Sequence, residues 1–315
     1  MDFFPADATS DVIVGLGAVD DAAVHRLGGG RVGVVSLDFF PPVVDDATDY
    51  GAIAAANSMS DVWAMGADPV LALCIALFPA DMPTGVASAI LLGAAERVRA
   101  AGAVIAGGHT MDNKEPIFGL AVIGLGDEDH LMLKGGLEIG QKLVLTKPLG
   151  TGLLTTAAMR GGLPPEDLVD AIELMKRLNG PAARVGRNHG VRGATDVTGF
   201  GLAGHALEMA ASAGVGLRLH LDAVPLLPRV MHWADQGTFA GGAYRSRMAY
   251  EGRVKFDLSV SEPGQMLLFD PQTSGGLLMG VDADRADAMV AELRENDPEA
   301  AIVAEVVEGA GLEVV

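Results

Sequence analysis

The sequence TDVTGFGLAGHALEM (residues 195–209) carries the strongest local signal in the chain. It opens with the carboxylate of Asp196, passes Gly199 and Gly201, and continues as an alanine-rich segment with helical spacing. This pattern predicts a tight turn into a helix N-terminus, where free backbone N–H groups and the helix dipole suit an anionic ligand. Because an aspartate is a poor direct partner for phosphate, one interpretation places a metal ion between them. The other is that Asp196 or Thr198 simply caps the helix.

Length and composition indicate a soluble α/β protein of two domains. The chain of 315 residues is long enough for two domains, each with its own hydrophobic core. Half of its residues are apolar, and 42 are glycine. The longest apolar run, residues 70–78, is far shorter than the roughly 20 residues that span a bilayer. The chain also lacks a basic-then-apolar opening, so we expect a cytoplasmic protein without membrane contact. A polar, glycine-rich stretch at 126–141 predicts a boundary between an N-terminal domain, residues 1–130, and a C-terminal domain, residues 131–315.

Net charge and cysteine content reduce the number of possible classes of partner and site. The chain has 22 basic and 41 acidic residues and a net charge of −19, which argues against a nucleic-acid partner. Its single cysteine, Cys74, excludes internal disulfides and cysteine-based zinc sites. Because Cys74 lies in the apolar run LALCIALF, we expect a buried, inert thiol.

Helices alternate with strands in both halves, which predicts an α/β or α+β layered fold. In the first half we expect helices at 50–65 and 83–101 and a buried strand at 69–78. A short strand at 104–106 should end in a loop that contains GGHT. In the second half we expect an irregular stretch at 225–263, followed by a pair of strands at 266–269 and 277–281.

Five carboxylates at the predicted ends of strands or helices, near glycines, are candidates for metal binding: Asp20, Asp21, Asp38, Asp61 and Asp196. Asp61 follows Asn57 by four residues on a predicted helix, so both side chains should leave one face. Clustered carboxylates repel one another unless a cation lies between them. Ligands that are all oxygen indicate Mg²⁺, which usually accompanies a substrate phosphate. Each aspartate taken alone is also explained as a cap or turn residue.

Two further features involve histidine. AGGHT places Gly108, His109 and Thr110 after a strand, where backbone N–H groups could approach a phosphate, although an ordinary turn explains it equally well. The chain contains neither GxxxxGK[ST] nor GxGxxG, so a nucleotide site would belong to another kind of fold. His205 lies within the helix after Asp196, and we expect a packed or capping histidine there, not a base.

Six segments together resemble the selenophosphate synthetase (selenide, water dikinase) family, in that family's order and spacing. They are LDFFPPVVDD, AAANSMSDVWAMGADP, AGGHTMDNKEPIFGLAV, LTKPLGTG, GATDVTGFGLAGH and DPQTSGGLL. The resemblance implies a two-domain fold like that of aminoimidazole ribonucleotide synthetase. N-terminal domains would pair in a homodimer, closing a β-barrel with ATP at the interface. The implied reaction converts ATP, selenide and water into selenophosphate, orthophosphate and AMP.

The resemblance also assigns roles to residues. Asp21, Asp61 and Asp196 resemble its Mg²⁺ ligands, and the N-terminal domain would bind ATP and Mg²⁺. The residues that resemble its ATP site are Ala18, Val19, Asp20, Asp38, Asn57, Asp61, Gly108, His109 and Thr110. Phosphoryl transfer needs mainly placement and charge neutralisation, which suits a site built from aspartates and glycines.

One departure concerns the catalytic group. The family carries a reactive cysteine or selenocysteine and a nearby lysine ahead of the segment that matches Val12, and we expect both before residue 1. The chain would then be either a catalytically impaired nucleotide-binding paralogue or the product of an internal start at Met1, after a UGA selenocysteine codon. Intact site motifs favour the second explanation. Rival functions are a thiamine-monophosphate kinase, a ligase of purine synthesis and a silent regulatory subunit.

Overall fold

The computed structural model describes residues 11–17 and 19–315. The chain forms two compact units. One ends at Leu131 and includes Lys176–Gly180, and the other comprises Met132–Met175 and Pro181–Val315. Each unit has its own mixed sheet with helices packed on it, as the predicted α/β layering requires. Among the described residues, none of the helices is long and apolar enough to cross a membrane.

The first unit is a six-stranded sheet with two helices. Its strands are β1 (Val12–Val14), β2 (Ala23–Gly28), β3 (Arg31–Phe40), β4 (Asp68–Phe78), β5 (Val104–Asp112) and β6 (Ile117–Asp127). Its helices are α1 (Ala47–Ala64) and α2 (Thr84–Ala100). The strand order is β1-β2-β3-β6-β4-β5, with β4 and β5 parallel and the other neighbours antiparallel.

Helix α1 is the centre of this unit and is buried along most of its length. Asp46 starts it by accepting a hydrogen bond from the Asp49 amide at 2.9 Å. Glycines then bring α1 against α2: a Cβ on Gly51 would lie 1.9 Å from the Ile90 carbonyl oxygen. The small residues of α1 therefore permit close packing against α2.

The predicted loop at GGHT is wrong, because this segment continues strand β5. Residues 107–110 pair in parallel with residues 73–76 of β4. A Cβ on Gly108 would lie 2.3 Å from the Cys74 carbonyl oxygen, so glycine here serves close strand packing. The Cys74 thiol is buried, which raises its pKa and confirms the expected inert cysteine.

The second unit is built on a seven-stranded sheet of order β10-β13-β9-β12-β7-β11-β8. Its strands are β7 (Lys142–Leu145), β8 (Gly193–Asp196), β9 (Gly216–Leu219), β10 (Val254–Phe256), β11 (Leu277–Val281), β12 (Ala301–Val307) and β13 (Gly311–Val314). The remaining helices of the chain are α3 (Thr151–Met159), α4 (Val169–Lys176), α5 (Gly180–Asn188), α6 (Gly201–Ala213), α7 (Val230–Asp235), α8 (Gly241–Tyr250), α9 (Glu262–Leu267) and α10 (Ala286–Leu293). One core cluster joins α6 to the sheet.

Two expectations for this half are wrong. Residues 225–263 contain α7, α8 and β10 and are therefore not irregular. The segment at 266–269 is not a strand, because α9 covers Glu262–Leu267, with Pro263 in its first turn and Ser261 capping the Gly264 amide at 3.3 Å. The run MLLF is buried on all sides, and periodicity cannot separate a buried helix from a buried strand.

Candidate functional site

Among the hydrogen bonds that join strand β3 to helix α1, two are between side chains that include predicted site residues. Asn57 donates from Nδ2 to Asp38 Oδ2 at 2.8 Å, and the Ser36 hydroxyl donates to Asp61 Oδ2. Ser36 and Asp38 are two residues apart and share one face of the strand, while Asn57 and Asp61 are four apart on the helix. The paired side chains therefore bring two of the predicted carboxylates to one strand–helix junction.

Burial sets the electrostatics of this junction. It raises the pKa of Asp38, and the hydrogen bond from Asn57 partly opposes that rise. Nearby, the buried Ser58 hydroxyl lies 3.0 Å from the Asp38 carbonyl oxygen and accepts from the Leu120 amide at 3.1 Å, which anchors α1 to the sheet. A cation would favour the ionised forms of Asp38 and Asp61.

Asp20 and Asp21 lie at the same end of the β2–β3 ladder as this junction. Ala23 pairs with Val35, so the residues that precede Ala23 lie beside the continuation of β3 toward Asp38. Both aspartates are half-buried, and the Asp21 amide donates to Asp20 Oδ1 at 3.1 Å. Val19 is exposed, and the predicted Ala18 lies outside the described residues.

The predicted Gly108, His109 and Thr110 lie on β5, away from the junction. Asp38 pairs with Leu120, Leu120 with Cys74, and Cys74 with Gly108. Three strand spacings therefore separate Asp38 from Gly108, about 14 Å. Within one chain the sheet does not bring these two parts of the predicted ATP site together.

The sheet face opposite α1 is apolar and exposed. Its exposed side chains include Val35 (48%), Leu37 (54%), Phe39 (50%), Leu73 (41%) and Ile123 (39%). They lie side by side because Val35 pairs with Ile123, while Leu37 and Leu73 both pair with Ala121. An exposed apolar face of this extent is typical of an interaction surface.

In the second unit, Asp196 is the last residue of β8, pairs with Leu277, and is 1% exposed. It does not cap α6, which begins five residues later with Phe200 in the N-cap position. The expectation of free amides at this N-terminus is also wrong in large part. Gly201 N–H donates to the Thr198 carbonyl at 3.1 Å, and Ala203 N–H donates to that of Leu268 at 2.8 Å.

The His205 side chain accepts hydrogen bonds from two more backbone amides near this N-terminus, as a capping histidine would. Its Nε2 accepts from Thr198 N–H at 3.1 Å and from Phe200 N–H at 3.4 Å. Burial, with a smaller contribution from Lys134, lowers the His205 pKa to about 3. The imidazole is therefore neutral at physiological pH.

Asp270 and Gln272, which sequence reasoning left without a role, cap helix α3. Gln272 Oε1 accepts from the amides of Gly150 at 2.9 Å and Thr151 at 3.2 Å. Asp270 Oδ2 accepts from the Leu153 amide at 3.0 Å. The only sequence signal was their place in the motif DPQTSGG, because a cap supplied from so far along the chain leaves no local pattern.

This cap joins three of the motifs quoted above. Gln272 N–H donates to the Thr198 carbonyl at 2.9 Å, and Val197 N–H donates to that of Gly276 at 2.8 Å. The buried Lys147 Nζ donates to the Ser274 carbonyl at 3.0 Å, where Ser274 has a left-handed φ of 50°. LTKPLGTG, GATDVTGFGLAGH and DPQTSGG therefore support one another around Asp196.

The donor set fits Mg²⁺ held mainly by water and phosphate. Across residues 11–17 and 19–315, the structure has no group of three or more His, Cys, Asp or Glu side chains arranged for a metal ion. The strand–helix junction instead offers the carboxylates of Asp38 and Asp61 beside hydroxyl and amide groups. Mg²⁺ commonly binds through one or two carboxylates and substrate phosphates, without a full protein cage.

Both halves of the chain match known protein families. Residues 19–126 match the AIR synthase related protein, N-terminal domain, and residues 138–315 match the AIR synthase related protein, C-terminal domain.

Curated relatives match along most of the chain. Selenide, water dikinase from Pelobacter propionicus is 43% identical over 301 residues, which cover 95% of this chain and 86% of that protein. The protein of the same name from Bordetella bronchiseptica is 45% identical over 270 residues, covering 85% of this chain and 78% of that one.

Solved structures share the fold at lower identity. Thiamine-monophosphate kinase from Stenotrophomonas maltophilia has a TM-score of 0.72 at 18% identity, covering 98% of this chain and 92% of that one. The hydrogenase maturation protein HypE in complex with ATP has a TM-score of 0.70 at 19% identity, covering 93% and 81%.

Proposed function

Because the chain belongs to the selenide, water dikinase family, we propose that it makes selenophosphate from selenide, water and ATP and releases AMP and orthophosphate. The observation that carries this proposal is the identity to selenide, water dikinases along both units. The three phosphorus atoms of ATP leave in three products: selenophosphate, orthophosphate and AMP. Such an enzyme is a phosphotransferase with paired acceptors, for which we also propose a cytoplasmic location.

We assign Mg–ATP binding in the first unit to the strand–helix junction and the residues beside it. Asn57 and Ser36 orient the carboxylates of Asp38 and Asp61 from opposite elements, so neither carboxylate needs to reorganise when ligand arrives. The described residues assigned to ATP are Val19, Asp20, Asp38, Asn57, Asp61, Gly108, His109 and Thr110.

We assign Mg²⁺ to Asp21 and Asp61 in the first unit and to Asp196 in the second. Bound Mg²⁺ would neutralise phosphate charge as phosphoryl groups leave. The protein's own contribution is to hold carboxylates in place. Asp61 accepts from Ser36, Asp21 follows directly on Asp20, and Asp196 is fixed in the β8–β11 ladder.

We propose that the exposed apolar face of the first sheet packs against the same face of a second copy. A two-fold dimer needs a self-complementary patch, and an apolar sheet face meets that need. The family resemblance implies ATP at such an interface, so residues of both copies would contribute to the site. The expected β-barrel and the role of residues 1–130 in dimerisation belong to this proposal.

The test is ATP turnover with and without selenide, on residues 1–315 and on the same chain extended upstream in its reading frame. We expect AMP to form only when selenide and Mg²⁺ are present, and the extended chain to be the faster if a reactive cysteine or selenocysteine precedes Met1. Asp61→Asn should lower the rate in either form. Mg–ATP binding without AMP from either form would contradict the proposal and favour a nucleotide-binding paralogue.

A further inference from the structure

The His205 imidazole faces back from α6 onto the turn that follows Asp196. It is 4% exposed, and its Nε2 lies 3.1 Å from Thr198 N, 3.4 Å from Phe200 N and 3.3 Å from Thr198 Oγ1. Because both backbone N–H groups can only donate, Nε2 is the unprotonated acceptor and the ring proton lies on Nδ1.

Burial, with a smaller contribution from Lys134, keeps the ring in this neutral form. Nδ1 faces Glu208, whose Oε2 lies 4.0 Å away and also accepts from Lys134 Nζ at 2.9 Å. Tyr250 donates to Glu208 Oε1 at 3.1 Å, and the Phe200 ring packs 5.4 Å from the imidazole. Glu208 is thus held by Lys134 and Tyr250, and the donors to His205 Nε2 are the amides of Thr198 and Phe200 and the Thr198 hydroxyl.

His205 is the third of three groups that bind the backbone of this turn. Strand β8 holds Asp196 itself, and the segment 272–276 binds Val197 N–H and the Thr198 carbonyl. The amides of Thr198 and Phe200 point to the opposite side, where His205 accepts both. Asp196 and the backbone that follows it are therefore held by hydrogen bonds to three parts of the second unit: the sheet, the DPQTSGG segment and helix α6.

We propose that His205 is a positioning residue, which fixes the 197–200 turn through Nε2 and so holds the Asp196 carboxylate in its Mg²⁺-binding orientation. The claim that Asp196 binds Mg²⁺ rests on the proposed function. The claim that His205 fixes the 197–200 turn does not.

A matched pair of variants separates this role from simple packing. In His205→Gln the side-chain amide can place an oxygen near the position of Nε2, while in His205→Asn the shorter side chain stops near Nδ1. Both variants are uncharged and polar, so they differ mainly in whether an acceptor reaches the turn. His189→Asn is the control, because His189 directly follows α5 and contacts Glu292 instead.

The first readout is hydrogen–deuterium exchange of the peptide that covers residues 197–202. We expect faster exchange in His205→Asn and exchange near that of the wild type in His205→Gln. The second readout is Mg²⁺ affinity, by calorimetry with a non-hydrolysable ATP analogue. We expect about a tenfold loss in His205→Asn, as for groups that orient a metal ligand, with recovery in His205→Gln.

Equal hydrogen–deuterium exchange in His205→Gln and His205→Asn would contradict the claim that His205 fixes the turn through Nε2. Different exchange with equal Mg²⁺ affinity would overturn the positioning of Asp196. Failure of the proposed function has a different signature, namely wild-type protein that forms no AMP with selenide, and it leaves both readouts measurable.

Discussion

Asn57 Nδ2 lies 2.8 Å from Asp38 Oδ2, and this hydrogen bond ties helix α1 to strand β3 at the proposed ATP site. The pair has two opposite effects on the carboxyl group. Burial raises the Asp38 pKa, and the amide donor lowers it. Asn57 therefore helps Asp38 to remain ionised in a half-buried position at the proposed Mg–ATP site.

Replacing Asn57 by alanine should shift the pH dependence of Mg–ATP binding. Without the amide donor, burial alone acts on Asp38 and its pKa rises further. Because the ionised carboxylate binds and exists only above its pKa, binding should be lost at a higher pH in Asn57→Ala than in the wild type. Calorimetric titrations over a pH series measure this midpoint, with Asn113→Ala, a change in the β5–β6 loop, as control. An unchanged midpoint would contradict the role given to Asn57.

The dimer proposal predicts that Leu37→Asp yields a monomer. Leu37 lies on the exposed face of the sheet and Leu92 on helix α2, and both are 54% exposed. Leu92→Asp is therefore a control matched in residue type and exposure. Light scattering after gel filtration should show a dimer for the wild type and Leu92→Asp, and a monomer for Leu37→Asp. A Leu37→Asp dimer would show that this face does not mediate the pairing.

Asp270 should make stability depend on pH in a defined direction. Burial raises its pKa from 3.8 to about 7, and hydrogen bonds from Leu153 and Gln272 offset only part of the shift. The folded protein thus binds this proton more tightly than the unfolded chain. The resulting stabilisation is fully present below the unfolded pKa and is lost as the pH rises through the folded pKa.

The variant Asp270→Asn isolates this effect, because its amide oxygen can still accept from Leu153 and Gln272 and it does not titrate. Urea denaturation should show that wild-type stability falls relative to the variant between about pH 4 and about pH 7, by at most about 1.4 kcal/mol per pH unit. Parallel pH profiles for the two proteins would mean that Asp270 does not titrate in this range.

Gly152 and Gly85 should respond in opposite ways to alanine. A Cβ at Gly152, in the first turn of α3, would lie 2.0 Å from the Pro271 carbonyl oxygen, whereas a Cβ at Gly85, in the first turn of α2, meets no atom within 4 Å. Gly152→Ala should destabilise by about 1–3 kcal/mol through overpacking. Gly85→Ala should be neutral or stabilise by up to about 1 kcal/mol. Equal urea midpoints for the two variants would contradict the close packing of α3 on the DPQTSGG segment.

The sequence predicted those parts of the site that depend on local periodicity. Spacing alone placed Asn57 and Asp61 on one helix face, and the structure shows both in contact with strand β3. Ser36 was not among the predicted site residues, although β3 extends to Phe40 and gives Ser36 and Asp38 a common face. The glycines of GGHT suggested a loop because their role in close strand packing depends on a distant partner, β4.

The second unit contains more contacts that the sequence could not predict. The turn before α6 and a packed or capping His205 were predicted, but not that the carbonyls of Thr198 and Leu268 would accept from the amides of Gly201 and Ala203. Likewise, Gln272 caps Gly150 and Thr151 from about 120 positions along the chain. Such contacts are fixed by tertiary packing, which hydrophobic periodicity and capping rules do not encode.

Product analysis by phosphorus NMR tests the central claim most directly. Mg–ATP and isotopically enriched selenide are incubated with the protein, both as residues 1–315 and with its upstream reading frame. We predict a phosphorus resonance split by directly bonded selenium, together with AMP and orthophosphate in equal amounts. ATP converted to ADP, or AMP formed without a phosphorus–selenium bond, would contradict the assignment of selenophosphate synthesis to this chain.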